Sequence, residues 1–178
     1  MSNGILYAPW RMEYIKGLSK APGDKGKAEE PCFICQGAAA AGEQERRERL
    51  VLWASEHCVV MINRYPYTNG HLLIAPRAHK ADLEELTADE RNDLAAESVK
   101  AVQLLKRAVS AQGFNIGINL GRCAGAGVPG HIHQHVVPRW AGDVNFMSVV
   151  GEVRIVPEAM SQLYAELVRV KAELGIPD

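Results

Sequence analysis

The five residues His131-Ile132-His133-Gln134-His135 hold three of the chain's six histidines, and Val136-Val137-Pro138-Arg139 follows at once. In a β-strand alternate side chains share one face, so the spacing predicts three imidazoles projecting together at intervals of roughly 6.6 Å. Each buried ring carries a donor and an acceptor that need partners, which makes three adjacent rings costly as mere filler. Two chemistries suit them: a metal site with His-x-His ligation, or a nucleophilic histidine supported by its neighbours. Asn119, Gly121, Gly125, Gly127 and Gly130 surround the approach to the triplet. Glycines let backbone N–H groups close on an anion, which suits a phosphate, although the loop is neither a Walker sequence nor a dinucleotide fingerprint.

A second constellation is Cys32-Phe33-Ile34-Cys35, whose spacing lets two thiolates reach one metal. A redox pair or two buried thiols would show the same spacing. Cys58 reads as core and Cys123 as a small residue of the glycine-rich loop. Trp10, Trp53 and Trp140 read first as packing, with Trp140 nearest the histidines. Arg139 suits either a phosphate or a neighbouring carboxylate. His57 reads as an ordinary strand residue. No Ser-His-Asp order or paired carboxylates call for another acid–base reading.

The elements that must position these residues read as α+β. Leu50–Ala54, His57–Ile62 and His71–Ala75 are short apolar or β-branched runs, and Phe114–Leu120 and His131–Val137 are two more. Together they predict a mostly antiparallel five-stranded sheet. Between the third and fourth runs, Thr87 and Glu90 match a capping box and Leu94, Ser98, Val102, Leu105 and Val109 recur on one face, so one long helix packs on the sheet. A C-terminal helix carries Met160, Leu163, Tyr164, Leu167 and Leu174, with Pro157 in its first turn and Gly175 ending it. The charge-dense Glu43–Arg49 reads as a solvated short helix or loop. Residues 1–31 read as an N-terminal arm and 32–178 as one catalytic domain.

Composition narrows the class further. At 178 residues the length suits one fold, and 20 Lys+Arg against 21 Asp+Glu give no basic field for nucleic acid. Runs such as Val59–Ile62 and Leu72–Ala75 fall far short of the roughly 18 residues that span a bilayer. Residues 1–17 carry Arg11, Glu13 and Lys16 without a continuous apolar core. A cytoplasmic location is therefore the expectation, and the cysteines read as thiols or metal ligands.

His131-Ile132-His133-Gln134-His135-Val136-Val137, with Asn63-Arg64-Tyr65-Pro66-Tyr67 and Gly70-His71-Leu72-Leu73-Ile74-Ala75-Pro76 upstream, resembles the histidine triad nucleotide-binding and hydrolase family. The resemblance runs from about Cys32 to Met147. Ala124-Gly125-Ala126-Gly127, Pro138-Arg139-Trp140 and Gly142-Asp143-Val144-Asn145-Phe146-Met147 make it most similar to the bacterial branch related to fragile-histidine-triad and diadenosine tetraphosphate phosphorylase proteins. The resemblance implies a homodimer cleaving or transferring at the α-phosphate of dinucleoside polyphosphates, with His133 attacking phosphorus and water or phosphate resolving the nucleotidyl-histidine. It implies that His135 and His71 support the nucleophile. It gives Asn119, Gly125, Ala126 and Gly127 to the phosphates and Asn63 to the ribose. It also implies a structural zinc on Cys32, Cys35, His79 and His131, and no organic cofactor. The alternatives are a non-enzymatic nucleotide- or metal-binding regulatory protein and a metal-dependent hydrolase. Two departures stand out: Gln134 occupies a usually apolar position, and Gly127-Val128 replaces a Gln-Ser or Gln-Thr pair, so backbone contacts must substitute for a side-chain donor.

Overall fold

A computed structural model describes residues 31–143 and 159–178. Apart from Pro31, the arm predicted over 1–31 lies outside the described residues, as do Trp10, Val144, Asn145, Phe146, Met147 and Pro157. In chain order the elements are α1 (Phe33–Ala38), α2 (Glu43–Arg49), β1 (Val51–Ala54), β2 (Cys58–Ile62), β3 (Leu72–Pro76), a 3-10 turn (Leu83–Glu85), α3 (Ala88–Ala108), β4 (Gly113–Ile118), a second 3-10 turn (Arg122–Ala124), β5 (Gln134–Arg139) and α4 (Met160–Glu173). The strands form one five-stranded sheet in the order β1-β2-β3-β5-β4, and every neighbouring pair is antiparallel. The predicted α+β class and the five strands are observed.

All five residues of β2 and all five of β3 are buried, because the sheet is covered on both sides there. Val60, Ile62, Leu72 and Ile74 join a large core with Leu94, Ala101, Leu104 and Leu105 of α3 and Leu163 and Leu167 of α4. Val59, Met61, Leu73 and Ala75 join a smaller one with Ile34 of α1. This is the period of two made visible: each strand supplies apolar side chains to both faces. None of the described helices is long and apolar enough to cross a membrane.

Helix α3 opens with the predicted capping box: the Thr87 hydroxyl accepts from the Glu90 N–H and the Glu90 carboxylate from the Thr87 N–H. Its buried face is rotated from the predicted one. Ala101 and Leu104 are buried while Val102 and Val109 are only half-buried, and Glu97 is fully buried. Glu97 accepts from the Trp53 indole at 2.5 Å and from Lys100 at 2.7 Å, so a carboxylate occupies what a hydrophobicity pattern reserves for an apolar residue. At the far end, Gly175 takes φ +65 and closes α4 as expected.

The strand predicted over His131–Val137 begins three residues later, at Gln134. Its ladder with β3 runs from Leu72 opposite Val136 to Ile74 opposite Gln134. Beyond that point the Pro76 carbonyl meets the His131 ring, and the Ile132 N–H donates to Lys80 at 2.7 Å instead of to a strand. Only His135 of the triplet therefore sits in regular strand.

Two stability predictions follow from α3. Glu97→Ala leaves the buried indole N–H unpaired and opens a void, so the midpoint of denaturant unfolding falls by the equivalent of about 2–3 kcal/mol with an unchanged slope. Glu90 is held below the ordinary carboxylate value chiefly by its hydrogen bond from Lys80, at 2.6 Å, and next by the Thr87 N–H. A carboxyl depressed in the folded state stabilises above its unfolded value, near 4.5, and that contribution is lost as pH falls through the folded value. Unfolding measured between pH 7 and pH 3 in Lys80→Met should therefore show a shallower acid loss than in the parent.

Candidate active site and metal cluster

Gly70 brings the chain into the site. Its φ of +79, and a Leu105 methyl that an added Cβ would meet at 3.0 Å, leave room for glycine alone before His71. The His71 ring is fully buried. Its Nδ1 accepts from the Tyr67 N–H at 3.1 Å, with the Asn63 amide nitrogen at 3.3 Å, so its proton resides on Nε2. That nitrogen lies 3.0 Å from His135 Nδ1, which puts the His135 proton on Nε2, next to Asn119 at 3.4 Å. Burial, and then the neighbouring His133, lower the His135 pKa and favour the neutral ring.

His133 packs edge-on against His135 with ring centroids 4.9 Å apart. Its Nδ1 lies 2.9 Å from the His131 carbonyl oxygen, an atom that only accepts. The His133 proton is therefore fixed on Nδ1, and the lone pair is on Nε2. This arrangement supplies a nucleophilic nitrogen beside a donating one, without needing a change of tautomer.

The structure thus brings His71, His133, His135, Asn63 and Asn119 together. Asn63 is held inside this network, since its carbonyl oxygen accepts the Tyr65 N–H at 3.0 Å while its nitrogen faces His71. The glycine loop is less open than a phosphate nest requires. The Gly125 and Ala126 N–H groups donate within the loop, to Arg122 at 3.0 Å and Gly121 at 3.2 Å, whereas that of Gly127 takes no part in these turns. Gly125 lies beside Asn119, and so one step from His135.

A cavity of about 510 Å³ opens next to His135 over the β4–β5 half of the sheet, lined by Tyr67, Asn115, Asn119, Val137 and Arg139 among others. Arg139 meets the carboxylate alternative: it binds Asp143 at 2.5 and 2.8 Å and Asn115 at 2.8 Å, and holds the Asp143 carboxyl down to about 2. Trp140 donates its indole N–H to Val109 and Ser110, and Trp53 is buried, so both are packing residues. Cys58 is buried and Cys123 exposed. Gln134, polar at a usually apolar position, donates to Ser98 of α3 at 2.5 Å. Tyr67 and Pro76 were given no role by their types; Tyr67 stacks on His135 at 5.8 Å and donates its N–H to His71.

His131 faces away from this pocket. Its Nε2 donates to the Pro76 carbonyl at 2.8 Å, while Nδ1 lies 3.3 Å from Cys32 Sγ and 3.4 Å from Cys35 Sγ. His79 Nδ1 is 3.1 Å from Cys35 Sγ, and one ligand atom from each of the four residues falls within 4.8 Å of the others. A tetrahedral zinc with bonds of about 2.0–2.3 Å spaces its donors roughly 3.3–3.8 Å apart, so the four residues fit such an ion. The Pro76 contact is the outer hydrogen bond a ligating histidine uses to fix its tautomer. Burial, then the hydrogen bond and charge of Cys32, raise the Cys35 pKa, and a divalent cation held there would favour its thiolate.

The HIT domain family matches residues 44–142. An AP-4-A phosphorylase of Mycobacterium tuberculosis is 35% identical over 157 residues, covering 87% of this chain and 77% of that protein. The asymmetrical bis(5'-nucleosyl)-tetraphosphatase of Schizosaccharomyces pombe is 34% identical over 93 residues, 52% of this chain and 50% of its own length. Among solved structures, a zinc-bound histidine triad family protein from Mycobacterium smegmatis superposes with a TM-score of 0.64 at 27% identity, covering 81% of this chain and 95% of that one. With its histidine-bearing strand and more than half its length matched, the chain belongs to the HIT domain family.

Proposed function

We propose that this protein is an enzyme cleaving phosphoanhydrides of dinucleoside polyphosphates by nucleotidyl transfer through His133. The observation that carries the reading is the His133 Nδ1–H bonded to the His131 carbonyl at 2.9 Å, which presents Nε2 as a nucleophile. Relatives named AP-4-A phosphorylase and bis(5'-nucleosyl)-tetraphosphatase support this substrate class. Nε2 forms a P–N bond to the α-phosphorus as the bridging P–O bond breaks. His135 Nε2–H, aligned by His71, donates to the departing phosphate oxygen. Water or inorganic phosphate then attacks the nucleotidyl-histidine and returns Nε2 to its starting state. In this reading Asn119, His135 and the Gly127 N–H meet the phosphate oxygens, and Asn63 the ribose.

Cys32, Cys35, His79 and His131 would hold a structural zinc ion, which would fasten α1 to the segment before β5. The outer edge of β4 has no strand partner among the described residues, and Ile116 there is 48% exposed. A second copy pairing along this edge makes the proposed homodimer. A cytoplasmic setting suits thiol ligands.

Quenching the reaction in denaturant with an α-labelled dinucleoside tetraphosphate should leave label on the protein through an acid-labile bond. His133→Ala should abolish this label and lower turnover by about 10³-fold or more. Turnover that survives in the variant would remove His133 from the reaction. For the cluster, elemental analysis should find one zinc per chain and its loss in Cys32→Ser; a fully folded wild-type protein free of metal would end that assignment.

A further inference from the structure

We propose that the trough over β4 and β5 seats the second nucleoside of the substrate, the one that departs with the leaving phosphates, and that Asn115 reads its base. The inference rests on the reaction proposed above and concerns the half of the substrate that His133 does not attack. Across the sheet the polar groups of the site run in the order Asn63, directly after β2; His71, directly before β3; His135, on β5; and Asn119, directly after β4. With the transferred nucleoside towards Asn63, the departing part is left the opposite side, towards β4. The cavity of about 510 Å³ is on that side and begins at His135. Its size falls in the roughly 300–1,000 Å³ range of small-molecule sites.

Residues directly opposite in an antiparallel pair share a face, and the register sets Gly117 across from His135, Asn115 across from Val137 and Gly113 across from Arg139. The alternate residues turn the other way, towards α3, as Gln134 does in bonding Ser98. The floor beside His135 is therefore flat: Gly117 has no side chain, and a Cβ added there meets no atom within 4 Å. Val137 continues it as an apolar patch, and the Tyr67 ring, stacked on His135 at 5.8 Å and 27°, borders it. A flat apolar floor edged by an aromatic ring suits the face of a heterocycle.

The far end decides between a base and a phosphate. Arg139 is four residues along the strand from His135, roughly 13 Å at about 3.3 Å per residue. Its guanidinium is engaged by Asp143, at 2.5 and 2.8 Å, and by the Asn115 side-chain oxygen at 2.8 Å. Arg139 keeps the Asp143 carboxyl ionised, at about 2, so the two charges cancel and this end offers a polyphosphate no net attraction. What is left over is neutral. An arginine only donates, so the Asn115 oxygen faces it, and the amide nitrogen, which has no partner among the described residues, is left to donate. That donor beside an apolar floor matches the acceptor-bearing edge of a nucleobase.

The test uses two substrates with the same nucleoside at the attacked phosphorus and the same number of phosphates. Diadenosine tetraphosphate has a second nucleoside and adenosine 5'-tetraphosphate has none. Wild-type kcat/KM should favour the dinucleotide by about tenfold or more, since binding energy from the remote half is used at the reacting centre. Asn115 and Gly117 are both exposed, so their variants keep the fold. Asn115→Ala should lower kcat/KM for the dinucleotide by about 3- to 10-fold, the worth of one neutral hydrogen bond, and leave adenosine 5'-tetraphosphate within about twofold. Gly117→Ala raises the floor by one methyl group clear of His135 and should discriminate in the same direction. A wild type indifferent to the second nucleoside, or variants that alter both substrates equally or neither, would overturn the subsite and leave His133 as nucleophile. Wild-type protein that turns over neither substrate would defeat the reaction itself, and the subsite with it.

Discussion

On the proposed reaction, a backbone carbonyl that accepts one proton sets the chemistry of this protein. His133 could place its lone pair on either ring nitrogen, and in water both tautomers interconvert freely. The His131 oxygen, 2.9 Å from Nδ1, removes that choice before any substrate arrives. The same logic runs through the other pair: the Tyr67 N–H on His71 Nδ1 sends the His71 proton towards His135, whose own proton is then on Nε2, on the side of Asn119. Two short relays, both starting from main-chain atoms, leave one imidazole accepting and its neighbour donating. Main-chain atoms are good anchors for this purpose because their positions are set by the fold and not by rotamers.

The fold supplies those anchors through uneven cover of the sheet. Over β2 and β3 both faces are packed, which makes the third strand a rigid wall carrying Pro76 at one end and following His71 at the other. Over β4 and β5 one face is open among the described residues, and the cavity next to His135 lies there. Rigid and open halves meet between β3 and β5, where His71 faces His135. A site at this seam gains stiffness from the closed half and access from the open one, an arrangement that loops alone would not provide.

Much of this was legible in the sequence. The pairing of His133 with His135, the two-residue cysteine spacing, the capping box at Thr87 and the five apolar runs all reappear in the structure with shifts of one or a few residues, whereas His131 leaves the shared face for the cysteines. The start of β5 was not legible, because period two describes an extended chain whether or not a partner strand is beside it; where the ladder stops, β3 reaches Pro76, which has no N–H to donate, and its carbonyl meets the His131 ring instead. The place of Glu97 was hidden for the same reason, since its burial depends on Trp53, a partner 44 residues away. Tyr67 acts through its backbone N–H, which every residue type but proline has, so no residue-type signal could single it out.

The glycine loop shows where composition misleads. Glycine makes backbone N–H groups approachable, but two of the three expected donors close turns within the loop itself, and the side-chain donor common in the family is absent at Gly127-Val128. On the proposed reaction the charge growing on phosphorus oxygens must therefore be met mainly by Asn119, the His135 Nε2–H and a single loop N–H. Two of these three are side chains next to each other at the seam between strands, 3.4 Å apart. His135 is on a strand and Asn119 follows directly on the end of β4, so both are held close to the sheet and reorganise little as charge develops, whereas the loop would have to break its own turns to contribute more. Transition-state stabilisation in this chain accordingly leans on the sheet, and the loop's part is to let the polyphosphate approach.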